Sequence, residues 1–344
     1  MNTQVFATFG PACGDKETLR KMIDAGMTGM RLNLSHTTLF ESASYINAYR
    51  EAAYEAGVSP QILIDMQGPE LRVGDVGEVT LETHKWAIFY AKETGGYQGQ
   101  ENCLGALNEM KAVPVPLAVI KAARAGDEIL LDDGKLLVEV IAAETEKLCV
   151  KIVRGGILRS HKSIKIKDKN IKLPPLTEHD IENIKLAKDY GVTALMQPFV
   201  LDGEDLKYVR GILNEYGAEG VQIFAKIENK LGVANIESIL PEADAVIIAR
   251  GDLGNDMPLW ELPRVQKQIE EACKKANVPY VVVTQMLASM ETNPVPTRAE
   301  VSDIFHAVFH GAYGIMITGE SAIGKYPVEA VRYLANTARE AEQV

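Results

Sequence analysis

The chain has 344 residues, 47% of them hydrophobic and 24% charged, with a formal net charge of -11. This is ordinary globular composition, long enough for one large barrel with an inserted module or for two domains. The acidic balance excludes non-specific nucleic-acid binding, which selects clustered Lys and Arg.

Four cysteines, Cys13, Cys103, Cys149 and Cys273, are scattered without a CxxC pair, so a zinc ribbon or dithiol motif is not expected and reduced thiols are. The N-terminus lacks a basic region followed by an apolar stretch. No apolar run approaches the roughly 20 residues that span a bilayer, so no membrane partner is expected and the cytoplasm is the expected compartment.

Short apolar runs alternate with amphipathic helical stretches from the start. Val5–Phe9 reads as a strand and Lys16–Ala25 as a helix; Met30–Ser35 is the next strand, a helix follows near Phe40–Ala56, and Gln61–Met66 is the third strand. From about Val73 to Lys172 the pattern changes to short β-like pieces: Glu78–Leu81, Glu128–Leu131, Leu136–Ile141 and Leu148–Ile152. Turn signals separate them, including Gly95-Gly96 and Asp132-Asp133-Gly134, the latter a good hairpin turn.

Alternation resumes at Thr177-Glu178-His179-Asp180, which reads as a capping box. Strands are predicted at Ala194–Phe199, Gln222–Glu228, Ala245–Gly251, Tyr280–Gln285 and Gly314–Gly319, with a last helix entering through Pro327. Three strands plus five, over roughly 250 residues outside the insert, predict a (β/α)8 barrel. A doubly wound open sheet competes less well, because no GxGxxG turn follows the first strand. The expected division is residues 1–72 and 173–344 as barrel and 73–172 as a small inserted β-rich domain.

Active sites of such barrels lie at the C-terminal strand ends. There the sequence places Arg31, Asn33 and Ser35 on the second strand, and Asp65 on the third with Glu70 and Arg72 close behind. Lys226 and Glu228 end the fifth, Arg250 and Asp252 the sixth, Thr284 the seventh, and Thr318 and Glu320 the eighth. Residues two apart share a strand face, so Lys226 and Glu228 point one way. Charges at an apolar barrel mouth must be paired or hold ligands. Glu228 and Asp252 suit a hard divalent cation such as magnesium, and a neighbouring lysine and arginine suit a phosphoryl group or carboxylate. The plainer alternative is a set of ion pairs closing the barrel.

The stretches Arg31-Leu-Asn-Leu-Ser-His36, Asp65-Met-Gln-Gly-Pro-Glu70, Lys226-Ile-Glu-Asn229, Ala249-Arg-Gly-Asp-Leu-Gly254, Thr284-Gln-Met-Leu-Ala-Ser-Met290, Pro296-Thr-Arg-Ala-Glu300 and Gly319-Glu-Ser-Ala322 together resemble the pyruvate kinase family. They occur in that family's order across the whole barrel, and the insert matches its lid domain in place. A short form without the family's C-terminal regulatory domain is expected.

The resemblance implies phosphoryl transfer between phosphoenolpyruvate and ADP, giving pyruvate and ATP. By position, Glu228 and Asp252 would hold magnesium (or manganese), Lys226 would stabilise the phosphoryl group in flight and the enolate, and Arg31 would hold phosphoryl oxygens. Thr284 would sit where the enolate is protonated. Asn33, Ser35, Asp65 and the Met66 carbonyl would bind potassium, with Glu70 marking the potassium-dependent type. Amides around Gly251 and Asp252 would take the substrate carboxylate, while Arg72, His36 and Lys162 would face the nucleotide. An aspartate of the Asp132 turn would swing toward the site, and a homodimer through barrel faces is the expected assembly.

The chain departs from the family pattern at Gln67 (usually lysine), Pro198 (serine), Leu201 (arginine), Thr37 (glycine), Leu231 (acidic), Ala288 (glutamate) and Ile323 (lysine). Lys165, Lys167, Lys169 and Lys172 replace the hinge Leu-Pro-Gly; this lysine run reads equally as an anion funnel and as a solvated ribbon. Two other functions stay open: a metal-dependent oxo-acid lyase or decarboxylase on the same scaffold, and a non-catalytic binding homologue. His306 and His310 have a zinc-compatible spacing but no evident third ligand, and read as helix surface; Trp86 and Trp260 read as packing residues.

Overall fold

The structure, a computed structural model, describes residues 2–35, 37–94, 110–132, 134–169 and 171–344. It has two compact units, residues 1–69 with 174–344, and residues 70–173.

The first unit opens with β1 (Gln4–Thr8), α1 (Lys16–Ala25), β2 (Gly29–Asn33), α2 (Ala43–Ala56) and β3 (Gln61–Asp65). Asp15 caps α1 by accepting from the Thr18 amide, and Gly26 ends it at φ 117°, where a side chain would be strained.

The second unit carries β4 (Glu78–Leu81), β5 (Trp86–Ala91), β6 (Lys111–Val115), α3 (Leu117–Ala122), β7 (Glu128–Leu131), β8 (Leu136–Ala143), β9 (Lys147–Arg154), β10 (Gly156–Arg159) and β11 (Ile164–Ile166). Its strands form a six-stranded sheet, β11-β7-β8-β9-β5-β6, and a two-stranded ribbon, β10-β4. Alternating residues such as Phe89, Val113, Val138, Val150 and Ile164 fill a core of its own.

The first unit resumes with α4 (Glu178–Leu186), β12 (Ala194–Gln197), α5 (Gly203–Glu215), β13 (Gln222–Ile227), α6 (Lys230–Ala234) and α7 (Ile236–Ile239). Then come β14 (Ala245–Ala249), α8 (Arg250–Asp256), α9 (Leu262–Ala276), β15 (Tyr280–Val283), α10 (Arg298–Phe309), β16 (Gly314–Met316), α11 (Gly319–Ala322) and α12 (Pro327–Ala341). The predicted capping box is present: Thr177 accepts from the Asp180 amide and Asp180 from the Thr177 amide. A second one, Thr297 with Glu300, opens α10.

Eight parallel strands close in the order β1-β2-β3-β12-β13-β14-β15-β16, the expected (β/α)8 barrel with an inserted β-rich module. Inward side chains such as Phe6, Leu63, Met196, Phe224, Ile247, Val281 and Met316 fill the barrel, and the other strand faces pack under the helices. The interior is therefore a packed core whose chemistry is confined to its C-terminal end. Several strands stop before their predicted ends. Ala194–Phe199 is a strand only to Gln197, and Tyr280–Gln285 only to Val283, because Phe199, Thr284 and Gln285 turn the chain at φ 54°, 70° and 54°. Trp260 is no packing residue: it is 83% exposed.

Candidate active site

The last inward layer of the barrel is charged. Thr8 ends β1 beside Arg31 of β2, and Asn33 pairs in register with Asp65 of β3. The Arg31 guanidinium donates to Asp65 Oδ2 through Nε (2.9 Å) and Nη2 (2.6 Å), and to Thr8 Oγ1 through Nη1 (3.2 Å). From β13, Lys226 Nζ donates to Asp65 Oδ1 at 3.0 Å and lies 2.9 Å from Glu228 Oε1. The other Glu228 oxygen accepts the Phe199 amide at 2.8 Å. One continuous chain of charges, Arg31–Asp65–Lys226–Glu228, thus crosses the barrel mouth.

Burial decides how these groups titrate. The side chains of Asp65 and Glu228 are 4% and 1% exposed. Burial alone would raise the Asp65 carboxyl, but Lys226 and Arg31 outweigh it and hold it below its ordinary range. Burial opposes the Lys226 ammonium, but Asp65 and Glu228 overcome that and hold it above its ordinary range, so Lys226 is a fixed cation. Glu228 behaves otherwise: burial pushes it up to about 7, Lys226 opposes this, and the nearby Asp252 adds to it. Two cations face three carboxylates here, which is one carboxylate too many.

That imbalance fits a divalent cation. Glu228 Oε1 is buried and meets only the Lys226 ammonium among the described residues, and Asp252, at the exposed start of α8, is close enough to raise the Glu228 pKa. Among the described residues no three His, Cys, Asp or Glu side chains gather as a metal cage. A two-carboxylate site is how magnesium binds when substrate oxygens and water complete its shell.

Across from this centre, Thr284 Oγ1 accepts from the Gly251 amide at 2.9 Å, leaving its own O–H free to donate. A β-branched residue at φ 70° is strained, at a cost of about 1–3 kcal/mol. Arg250 holds it there: Nη2 donates to the Thr284 carbonyl (2.6 Å), Nε to the Val283 carbonyl (3.3 Å), and Nη1 to Asp303 of α10 (2.7 Å).

The Asn33 side chain accepts the Ser35 amide at 3.2 Å, and the Met66 amide donates to Met196. Asp180, fully buried, accepts the amides of Gln67 (2.8 Å) and Gly68 (3.0 Å) and so shapes the loop after β3. In the second unit, Arg72 donates to the His161 carbonyl and pairs with Glu70 at 2.6 Å, while Lys162 pairs with Asp132 at 3.1 Å. Lys167 and Lys169 pair with Glu128 and Asp127, which makes that part of the lysine run a self-neutralised ribbon. His36 and Asp133 lie outside the described residues. His306 is exposed and meets the Ser302 carbonyl, as expected of a helix surface.

Sequence reasoning missed Thr8, Asp180, Asp303 and the Phe199 amide. The capping box was a usable signal for Asp180. For the others, neither residue type nor spacing carried one.

The pyruvate kinase barrel-domain family matches residues 1–331. The chain belongs to the pyruvate kinase family. It is 36% identical over 99% of its length to a pyruvate kinase of Bacillus licheniformis, 35% to one of Clostridium acetobutylicum and 39% to one of Thermococcus litoralis. It spans 57% of the Bacillus protein and 70% of each of the other two.

Proposed function

We propose that the chain transfers the phosphoryl group of phosphoenolpyruvate to ADP, giving pyruvate and ATP. The observation that carries this is the continuous Arg31–Asp65–Lys226–Glu228 charge chain, with Thr284 across the barrel mouth. Phosphoryl transfer needs positioning and electrostatic stabilisation more than covalent help from the protein, and this site is built of fixed charges.

Lys226, held protonated, stabilises the phosphoryl group in flight and the enolate it leaves. Arg31 serves the phosphoryl oxygens while Asp65 and Thr8 anchor its guanidinium. Gly251 and Asp252 form the turn that takes the substrate carboxylate, with the Asp252 amide as donor, since the Gly251 amide is engaged by Thr284 Oγ1. Thr284 sits where the enolate carbon is protonated, its hydroxyl passing its proton to that carbon as it takes one from a solvent water. Glu228 and Asp252 hold magnesium or manganese, which when bound supplies positive charge to substrate oxygens. Asn33, Ser35, Asp65 and Met66 hold potassium, a role supported by the register pairing of Asn33 with Asp65. Arg72, His36 and Lys162 serve the nucleotide phosphates. The protein acts in the cytoplasm, as a homodimer.

The test is pyruvate formation from phosphoenolpyruvate and ADP with magnesium, with and without potassium, beside Lys226→Met. Turnover that falls at least ~10³-fold in the variant is expected, since it removes a preorganised charge. Wild-type protein that exchanges the methyl protons of pyruvate but never phosphorylates ADP would overturn the kinase reading in favour of oxo-acid chemistry.

A further inference from the structure

Thr284 is strained, and a guanidinium grips its backbone. Arg250 spans the carbonyls of Val283 and Thr284 and touches Met286 Sδ at 2.9 Å. Such a residue persists in a sparsely populated conformation only when its surroundings over-determine it. The grip depends in turn on where Arg250 is anchored. Its Nη1 is fixed 2.7 Å from Asp303 Oδ2, one turn into α10. The Arg250 side chain is 11% exposed and that of Asp303 39%. Both line a cavity of about 250 Å³ between α9 and α10, together with Glu270 and His306.

We propose that Asp303 and Arg250 are positioning residues that set the direction of the Thr284 hydroxyl and hence the efficiency of enolate protonation. This rests on the function proposed above. The reasoning is geometric. A guanidinium presents several donors in a rigid fork, so fixing one arm fixes the others. With Asp303 in place, the arms that meet Val283 and Thr284 cannot rotate away. Thr284 then stays at φ 70°, and its Oγ1 stays under the Gly251 amide, which leaves its own O–H to donate. Without Asp303 the fork is free to turn into the cavity. A misplacement of about 1 Å at a reacting group can cost ~10²-fold in rate. Asp303 acts through Arg250 on Thr284, and neither bonds Lys226 or Arg31, so the effect falls on protonation.

The experiment compares Asp303→Asn, Asp303→Glu, Arg250→Lys and Thr284→Ala. Three quantities are read: kcat and KM for phosphoenolpyruvate, magnesium-dependent exchange of pyruvate methyl protons in heavy water, and exchange of the Gly251 amide followed by NMR. We expect Asp303→Asn to lower kcat and methyl exchange together by about tenfold or more, with KM changed less than twofold. Asp303→Glu should recover part of the loss; Arg250→Lys, which lacks the fork, should not. Asp303→Asn added to Thr284→Ala should cost nothing further, because the two act on one hydroxyl. The Gly251 amide should exchange at least tenfold faster in Asp303→Asn than in wild type.

A rise in KM at constant kcat, additive losses in the double variant, or an unchanged Gly251 amide would each overturn the proposal. Wild-type protein without kinase turnover would sink the proposed function, while the Gly251 amide would still decide whether the clamp exists.

Discussion

Glu228 is the residue whose chemistry is least settled by its protein partners alone. Its pKa is raised from the ordinary carboxylate range to about 7 by burial. A carboxylate whose folded pKa is raised contributes stability at pH below its unfolded pKa and loses it as pH rises through the folded one. The loss therefore falls between about pH 4.5 and 7, and is of the order of a few kcal/mol. Without metal, the melting temperature of Glu228→Gln should rise relative to wild type as pH goes from about 5 to 8. Magnesium should narrow that gap at pH 8, because it takes up the charged carboxylate. A difference independent of pH would mean Glu228 titrates in its ordinary range. At this scale Lys226, Glu228 and Asp252 were legible because charges at the ends of apolar strands have few structural uses. Asp303 was not: on a helix, a carboxylate next to polar neighbours reads as a solvated face, and only the fold shows Arg250 beneath it.

The loops that follow the strands are where sequence reading strayed. Predicted strands ran on through Phe199 and Gln285, because an apolar Phe199 and a β-branched Thr284 keep the strand pattern while the backbone has already turned left-handed. Positive φ at non-glycine residues leaves no mark in composition. At Gly68 the mark is present. Its φ is 65°, and a Cβ would lie 2.4 Å from Pro198 Cγ. Two separate penalties meet there, so two variants separate them. Gly68→Ala should cost at least about 2 kcal/mol in denaturant unfolding. Adding Pro198→Ser removes the collision but not the backbone strain, and should recover only part of that. Full recovery would show that strain at this turn is negligible. The insert was harder to read: of its eight described strands, the sequence pattern named four. β6, with Pro114 inside it, and the three-residue β11 give too few alternating positions to stand out.

At the scale of the whole molecule, two units each bury their own apolar cluster. Calorimetry should resolve two unfolding transitions. Magnesium at roughly a hundredfold excess over its Kd should raise the barrel's transition by about 5–10 °C and leave the other in place. A single transition that shifts as one would show that the units unfold cooperatively. The barrel was legible as a whole because eight alternations of strand and helix admit few other closures; the insert was legible only as an interruption of that rhythm.

The charged layer also has a consequence for assembly of the fold. Side chains alternate along a strand, so sliding β13 by one residue would turn Lys226 outward under the helices and bring Ile227 in. The ammonium would then sit unpaired in apolar surroundings, and Asp65 would lose a partner at the barrel mouth. The residues that make the barrel reactive thus also proofread its closure: mispaired barrels are rejected by the same charges that await the substrate.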